Sequence, residues 1–216
     1  MSVRSRRALP RGPHGLSRDE VTSSQRERLI DAMTAAVAEK GYANTVVADV
    51  VTRSGVSRAT FYQLFRDKED CFQAAYEANA ARVAQLMEIG LQGVRDDPER
   101  APLDKLDFVL GLYLAVLAAA PELARVFLVE VYAAGPEAIR QRRASLDQFV
   151  DIVAATHEGE DGPLGTRPDQ RFAAEVLVGA VSSMVTHMVG VGEADRLPDL
   201  RAPLIDLARK FFAHTP

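Results

Sequence analysis

Residues 45–68, TVVADVVTRSGVSRATFYQLFRDK, carry the side chains whose types and spacing could do chemistry. Arg58 is long enough to reach a guanine edge or a phosphate, and the Tyr62 hydroxyl can meet a phosphate. A helix enters the major groove only if its outer face is slim, and the outer face predicted here carries mainly small or polar side chains. These are Arg58, Ala59, Thr60, Tyr62 and Gln63.

Two short helices joined by a tight turn must position these side chains. Thr45 is a good N-cap for a first helix with a valine face, although a valine-rich run also suits a strand. Ser54-Gly55 ends that segment, and Ser57 caps a second helix from Arg58 to Phe65. The pattern favours a helix-turn-helix in which Phe61, Leu64 and Phe65 fill the core behind the outer face.

A helix is predicted on each side of this pair. The first begins at Ser23 or Ser24 and ends at Lys40 before Gly41, with Leu29, Ile30, Met33 and Val37 at helical spacing. Asp67 caps the second, which has Glu69 and Asp70 in its first turn. Its predicted buried side chains are Phe72, Tyr76, Val83 and Leu86.

Residues 1–22 are predicted to be a flexible basic arm, because they hold five arginines, two prolines and two glycines with little apolar content. Two interpretations stay open. The arm either enters the minor groove beside the helix-turn-helix or is a solubilising tail. Its arginines are Arg4, Arg6, Arg7, Arg11 and Arg18.

From about Ser24 to Tyr76 the chain resembles the TetR family of bacterial transcriptional regulators. The resemblance lies in the helix of 24–40, a Thr-initiated helix with Asp49, the turn Gly55-Val56-Ser57, the Thr-aromatic-Tyr-x-x-Phe run of 60–65, and Lys68. The segment HGLSRDEVTSSQRERL is similar to that of a subgroup common in actinobacteria. The departures are Leu64, where many members have His, and Val46, where a second Thr is frequent. Both departures put backbone contacts in doubt.

This resemblance implies a role for each residue of the motif. Thr45, Tyr62 and Lys68 are expected to contact phosphates, and Ser57 is expected to cap the recognition helix and also to touch phosphate. Arg58, Ala59, Thr60 and Gln63 are expected to face the bases. Without DNA, Ser57 is still a cap and Thr60 could bond only within its own helix.

Beyond this segment, further helices are predicted over 102–119, 121–134, 136–155, 169–191 and 198–213, with a loop over 157–169. The predicted fold is all-α, with about nine helices in two domains. Residues 23–68 form a three-helix DNA-binding domain. Residues 69–216 form a larger helical domain for ligand binding and dimerisation, as the family implies.

Several side chains of this larger domain are candidates to line a ligand cavity, although ordinary core is the favoured interpretation of Phe108 and Phe127. The candidates are Phe108, Tyr113, Phe127, Glu130 and Tyr132. Glu130 stands in the apolar run VFLVEVYAAG, so it must pair, reach solvent or meet a ligand. The last two helices have broad apolar faces, and a homodimer is expected through Val181, Met184, His187, Leu204, Leu207 and Phe211.

Other classes of site find little support. The group His157, Glu158, Glu160 and Asp161 lacks a known metal-ligand spacing and is interpreted as a solvated loop. No metal or cofactor is therefore expected, and neither is an enzyme, because GxSxG, GxGxxG and P-loop motifs are absent from the sequence. The single cysteine, Cys71, suits a reducing cytoplasm, and no apolar run of 18 residues predicts a membrane span.

The formal net charge of −4 hides an uneven distribution. Residues 1–70 hold 12 Lys+Arg against 9 Asp+Glu, whereas the remaining 146 residues hold 14 against 21. Positive charge is therefore concentrated where DNA is expected to bind.

The expected function is that of a dimeric repressor that binds a near-palindromic double-stranded operator and leaves it when a small effector binds. Alternatives are an activator, a ligand-independent regulator, an enzyme acting in the C-terminal cavity, and a helix-turn-helix used only for protein contact. The sequence does not name the effector, the operator or the regulated genes.

Overall fold

The computed structural model describes residues 17–95, 101–155 and 167–213. Nine α-helices account for most of these residues, and no strand occurs among them. The prediction of an all-α chain with about nine helices is therefore confirmed for this part of the protein. The helices, in chain order, are α1 (Arg18–Lys40), α2 (Val47–Ser54), α3 (Arg58–Leu64), α4 (Lys68–Arg95), α5 (Pro102–Ala119), α6 (Pro121–Leu128), α7 (Pro136–Ala155), α8 (Arg167–Gly190) and α9 (Arg201–Ala213).

The start of α1 lies earlier than predicted. Ser17 Oγ accepts a hydrogen bond from the Glu20 amide at 3.2 Å, and the Glu20 carboxylate accepts one from the Ser17 amide at 2.6 Å. This capping box starts the helix at Arg18 instead of Ser23 or Ser24, so residues 18–22 are helical and Arg18 does not belong to a flexible arm. Arg4, Arg6, Arg7 and Arg11 lie outside the described residues.

Thr45 is not the N-cap of α2. Its side chain is buried, and its hydroxyl donates to the Gly41 carbonyl at 2.9 Å. The helix begins one residue later than Thr45 predicts, with Val46 in the N-cap position. The Asp49 carboxylate accepts the Val46 amide proton at 3.0 Å, which satisfies one of the backbone donors left free at the start of the helix.

Two helices in the C-terminal part are interrupted. The helix predicted over 121–134 ends at Leu128, and a 3₁₀ turn, Glu130–Ala133, follows it. The helix predicted over 198–213 begins only at Arg201, because Ala194–Leu200 forms a 3₁₀ turn around Pro198, which has no amide proton to donate. The predicted loop over 157–169 is helical in 167–169, and its other residues lie outside the described part.

The helices pack around a continuous apolar core. In the N-terminal part, α1 packs against α2 and α4 around Phe61, Phe65 and Phe72. In the C-terminal part, α7 packs against α8, and α5 packs against α9. Helix α1 also packs against α6, so the two parts share a contact through the middle of the molecule.

One described segment, Arg171–Gly190, is long and apolar enough to cross a membrane, and only 28% of it is buried. Leu103–Ala119 and Pro121–Leu128 pass the same test as a broken span, but they meet at a bend of 107°. Length and apolar character do not separate a membrane helix from a helix of a soluble protein. The exposed apolar side of α8 is therefore a surface that a binding partner is expected to cover.

Candidate DNA-binding surface and C-terminal cavity

The outer face of α3 is exposed, as the sequence predicts. Its exposed side chains are Arg58, Ala59, Tyr62 and Gln63, with Ser57 exposed at the cap. Phe61 is completely buried on the opposite side, and Phe65 just beyond the helix is also buried. The aromatic side chains anchor α3 to the core, and this leaves a narrow polar face directed to solvent.

Thr60 is held within its own helix. The Ser57 hydroxyl accepts the Thr60 amide proton at 3.0 Å, and the two hydroxyl groups lie 2.8 Å apart. Thr60 is half-buried as a result. Ser57 is therefore the predicted cap, while a base contact by Thr60 requires its hydroxyl to turn away from Ser57.

Arg58 and Tyr62 lie one turn apart on this face. The Arg58 Nη2 donates to the Tyr62 hydroxyl at 3.4 Å, and the guanidinium lies 5.6 Å from the centroid of the Tyr62 ring. Both side chains are exposed. The tyrosine ring thus supports an extended guanidinium whose remaining donors face outward.

The structure places two of the expected phosphate contacts differently. Thr45 is buried, so its side chain is removed from the exposed surface and cannot contact a phosphate in this arrangement. Lys68 Nζ donates to the Tyr42 carbonyl at 2.9 Å and lies 4.1 Å from the centroid of the Tyr42 ring. Lys68 is therefore half-buried and fixes the α1–α2 connection, with two ammonium protons left for another acceptor.

Ion pairs hold α2 beside α1. Lys40 Nζ lies 2.6 Å from the Asp49 Oδ1, and Arg53 pairs with Glu39. The hydrogen bond from Lys40, together with the Val46 amide, holds the pKa of the Asp49 carboxyl below its ordinary value. Asp49 therefore stays ionised at neutral pH and keeps the first turn of α2 in place.

A cavity lies between α5, α7, α8 and α9. The empty space between these helices, counted together with the solvent at its opening, is about 570 Å³. Its lining is apolar except for two hydroxyl groups, those of Tyr113 and Ser182. Prominent apolar side chains of the lining are Leu110, Leu146, Phe149, Val178, Val181 and Leu204. Such a lining fits a slender apolar group.

A buried arginine is hydrogen-bonded to one of these hydroxyl groups. Arg142, on α7, is only 1% exposed, and its Nη2 donates to the Ser182 Oγ at 2.8 Å. Its guanidinium lies 5.1 Å from the centroid of the Phe127 ring. Its Nε and Nη1 have no hydrogen-bond partner among the described residues.

Sequence reasoning missed Arg142, although a signal was present. Ala138, Arg142, Leu146 and Val150 recur every four residues along α7, and the other three belong to its inner side. A lone arginine on an apolar stripe must be buried or break the stripe.

The five predicted ligand-binding residues separate in the structure. Tyr113 alone among them lines the cavity. Phe127 is buried behind it, stacked on Tyr76 with ring centroids 5.1 Å apart, while Phe108 is half-buried and outside the cavity lining. Tyr132 is 51% exposed on the surface.

Glu130 pairs within the protein. Its Oε2 accepts the Tyr42 amide proton at 2.8 Å, and its Oε1 lies 3.2 Å from the Arg125 Nη2. The prediction that this carboxylate contacts a ligand is therefore not supported, because its acceptors are already used to join the 3₁₀ turn after α6 to the α1–α2 connection.

The predicted dimer residues also separate. Val181 and Leu204 are buried and line the cavity, so they are not on an interface in this arrangement. Met184, His187 and Leu207 are exposed, and the Phe211 side chain lies outside the described part. The exposed side of α8 also includes two apolar residues that the sequence did not single out, Phe172 and Val176, and Val191 is exposed just after the helix ends.

The remaining predicted sites add no chemistry. His157, Glu158, Glu160 and Asp161 lie outside the described residues, and the described part contains no group of His, Cys, Asp and Glu able to hold a metal. Cys71 is completely buried, and this burial raises the pKa of its thiol to about 12. A thiol of this kind is a poor nucleophile at neutral pH.

Comparison with known proteins finds similarity to one protein family and to individual regulators. Residues 29–75 match the family described as bacterial regulatory proteins, tetR family. The chain is 26% identical to the fatty acid metabolism regulator protein of Bacillus subtilis strain 168 over 165 residues, which are 75% of this chain and 82% of the relative. It is 34% identical to the transcriptional repressor AcnR of Corynebacterium glutamicum over 87 residues, 38% of this chain and 46% of that repressor.

The fold is also similar to that of solved structures. One is the transcriptional regulator FadR from Bacillus subtilis in complex with stearoyl-CoA, with a TM-score of 0.66 and 22% identity. The match covers 84% of this chain and 96% of FadR. The similarity therefore extends beyond the helix-turn-helix to the C-terminal helices.

Proposed function

The chain belongs to the TetR family of bacterial transcriptional regulators, and on this basis we propose that it is a homodimeric repressor that an effector releases from its operator. The proposed operator is a near-palindrome in double-stranded DNA, and the proposed place of action is the cytoplasm. The effector class we propose is a compound with a long acyl chain. The observation that carries this choice is the almost wholly apolar lining of the cavity.

The outer face of α3 supports the DNA-binding half of this proposal. Arg58, Ala59 and Gln63 are the exposed residues proposed to face the bases, with Thr60 joining them if its hydroxyl turns outward. Tyr62 and Ser57 are the exposed residues proposed to contact phosphates, and Lys68 keeps two protons for one. Thr45 is withdrawn from this set because it is buried.

The names of relatives support the effector class. One relative is a regulator of fatty acid metabolism, and a protein of similar fold holds stearoyl-CoA. In this chain the cavity lies between α5, α7, α8 and α9, and aliphatic and aromatic side chains form almost all of its lining. Transfer of an acyl chain from water into such a lining is favourable by roughly 25 cal/mol for each Å² of apolar surface removed from water.

The described contacts supply a route from the cavity to the DNA-binding face. Helix α4 runs 28 residues from the end of the helix-turn-helix into the C-terminal part, and α1 packs on α6. An effector can release DNA only if it binds the DNA-incompetent arrangement more tightly than the competent one. We propose that widening of the narrow cavity shifts α4 and changes the spacing of the two recognition helices, which must lie about 34 Å apart to read one face of DNA.

Electrophoretic mobility shift tests this function directly. The probe is a duplex selected by the wild-type protein from a random library, and the ligands are free fatty acids and acyl-CoA esters from octanoyl to stearoyl. We expect a palindromic selected sequence, binding that weakens with salt, and release by at least one long-chain ligand.

Three results contradict the proposal. Failure to enrich any duplex excludes operator binding, and ligands without effect on a selected duplex exclude an acyl effector. A ligand that tightens DNA binding contradicts effector-driven release.

A further inference from the structure

Arg142 is a buried cation outside the proposed DNA-binding face. This guanidinium is buried, and its one hydrogen bond of regular geometry among the described residues runs from Nη2 to the Ser182 hydroxyl, while the Tyr76 and Tyr113 hydroxyls also lie near it. The ring of Phe127 stabilises the charge from one side. No carboxylate in the described part of the chain pairs with it.

Such an arrangement is costly for folding. A buried cation without a counter-charge is strongly disfavoured, and each buried donor left without an acceptor adds a desolvation penalty. Apolar residues of similar size in such a position are frequently neutral or stabilising. Binding of an anion from outside the chain removes this cost, so the site favours a negatively charged ligand.

Arg142 also lies next to the lining of the cavity. Ser182 and Tyr113 are the two hydroxyl-bearing residues of the lining, and Ser182 is the hydrogen-bond partner of Arg142. Burial raises the pKa of Tyr113 to about 12, although the neighbouring Arg142 charge acts in the opposite direction. Tyr113 therefore stays protonated and can donate to an anion beside the guanidinium.

We propose that Arg142 is the receptor for the carboxylate of the effector, which makes the effector a free long-chain carboxylic acid with its chain in the cavity. This inference rests on the proposed function, because it takes the cavity as the effector site. The guanidinium can serve two carboxylate oxygens at once. Whichever proton of Nη2 is given to Ser182, one edge of the guanidinium with two parallel N–H groups remains.

Binding of matched probes tests this assignment without DNA. Isothermal titration of the full-length protein compares dodecanoic acid with its methyl ester and with dodecanol, which have the same chain and no charge. We expect the wild-type protein to prefer the acid by at least about tenfold, as a charge-assisted pair with a buried guanidinium requires. Equal affinity for acid and ester in the wild-type protein overturns the proposal.

A variant assigns the preference to the residue. In R142M the preference for the acid should fall to less than about threefold, while ester binding stays within about threefold of wild type. The matched control is R140M on the same helix, because Arg140 is exposed and pairs with Glu137. R140M should keep the full preference. An R142M protein with an unchanged preference contradicts the assignment.

Folding of the variant is checked by thermal unfolding. Because Arg142 has two unsatisfied nitrogens, we expect R142M without ligand to unfold at or above the wild-type temperature. If R142M does not fold, R142K gives the residue test, since a lysine keeps the charge and loses the planar fork. The acid preference in R142K should fall at least about threefold, and an unchanged preference counts against the carboxylate receptor.

Operator release is measured separately, so the two proposals fail in different ways. Acid binding that depends on Arg142 but leaves the operator complex intact contradicts the proposed function and supports this inference. Release by ester, alcohol and acid alike supports the proposed function and contradicts the inference. Release by acyl-CoA esters but not by free acids also supports the proposed function and contradicts the inference.

Discussion

We propose that single residues on the outer face of α3 decide how this chain binds DNA. Arg58 is the one cation among the exposed residues of that helix, and Tyr62 supports its guanidinium from one turn away. The combination suits a bidentate contact with guanine. The tyrosine already restricts the conformations of the arginine side chain, so fewer conformations are lost on binding.

Replacing Arg58 with alanine tests this contact. We expect R58A to weaken binding to the selected operator by about 1–3 kcal/mol, which is a factor of about 5 to 160, and to relax the preference for one base pair. Fluorescence anisotropy on the selected duplex and on single-base variants measures both effects.

The control for R58A is R140A, because Arg140 is an exposed arginine of α7 paired within its own helix. R140A should bind the operator as tightly as wild type. An R58A isotherm that overlays the wild-type curve removes Arg58 from the recognition surface.

Residue-scale prediction succeeded where local chemistry decides and failed where tertiary contacts decide. Ser57 caps α3 as its sequence position indicates, since a hydroxyl before a helix has few better partners than the first amides. Thr45 has the same chemistry, yet its hydroxyl donates to the Gly41 carbonyl instead of accepting a proton from the first amides of α2. The sequence alone does not show which of these two nearby partners the hydroxyl takes.

At the scale of elements, Glu130 joins two parts of the fold. The carboxylate follows α6 and accepts the amide proton of Tyr42 in the α1–α2 connection. Gly41 has a φ of +77°, and a Cβ there would lie 3.3 Å from the Glu130 Oε2, so the connection is shaped closely around this side chain. The contact helps fix the helix-turn-helix relative to the C-terminal helices.

The variant E130A tests the strength of this link. It leaves the buried Tyr42 amide without an acceptor, so we expect a loss of about 1–3 kcal/mol in the free energy of unfolding. Chemical denaturation followed by circular dichroism measures the change.

The matched control for E130A is E137A, which removes an exposed carboxylate that pairs only within α7. Its effect should be below about 0.5 kcal/mol. Equal stability of the two variants shows that the Tyr42 amide finds another acceptor and that Glu130 is not the link.

Element boundaries were predictable where a strong local signal marks them. Pro102 and Pro136 open α5 and α7 at the predicted positions, because proline has no amide proton to lose in a first turn. The start of α1 was misplaced because the capping box of Ser17 and Glu20 precedes the apolar pattern that guided the prediction. The break after Leu128 has no comparable sequence signal.

The whole molecule presents an apolar stripe along α8 that a second copy can cover. Phe172, Val176 and Met184 are exposed at spacings that place them on one side of the helix, and Phe172 is 67% exposed. The sequence predicts α8 as an interface helix but names Val181, which is buried at the cavity. Both sides of this helix are apolar, so periodicity could not tell the cavity side from the outer side.

A charge on this stripe should separate the dimer. We expect V176E to convert the protein to a monomer, because burying an unpaired carboxylate opposes association, and to lose operator affinity along with it. Light scattering after size-exclusion chromatography measures the mass. The control is I89E, which places the same charge on an exposed apolar position of α4. A V176E protein that stays dimeric assigns the interface to another surface.

The burial of Cys71 has a practical consequence for studying this molecule. It is the chain's single cysteine, it lies in the first turn of α4, and none of its surface reaches solvent. Alkylation in the native protein therefore requires a local opening of the fold around α4, and its rate reports how frequently that opening occurs. Ligands that bind only the closed form slow the labelling in proportion to their occupancy. The alkylation rate of Cys71 therefore measures opening of the fold around α4 in the wild-type chain, with no engineered probe.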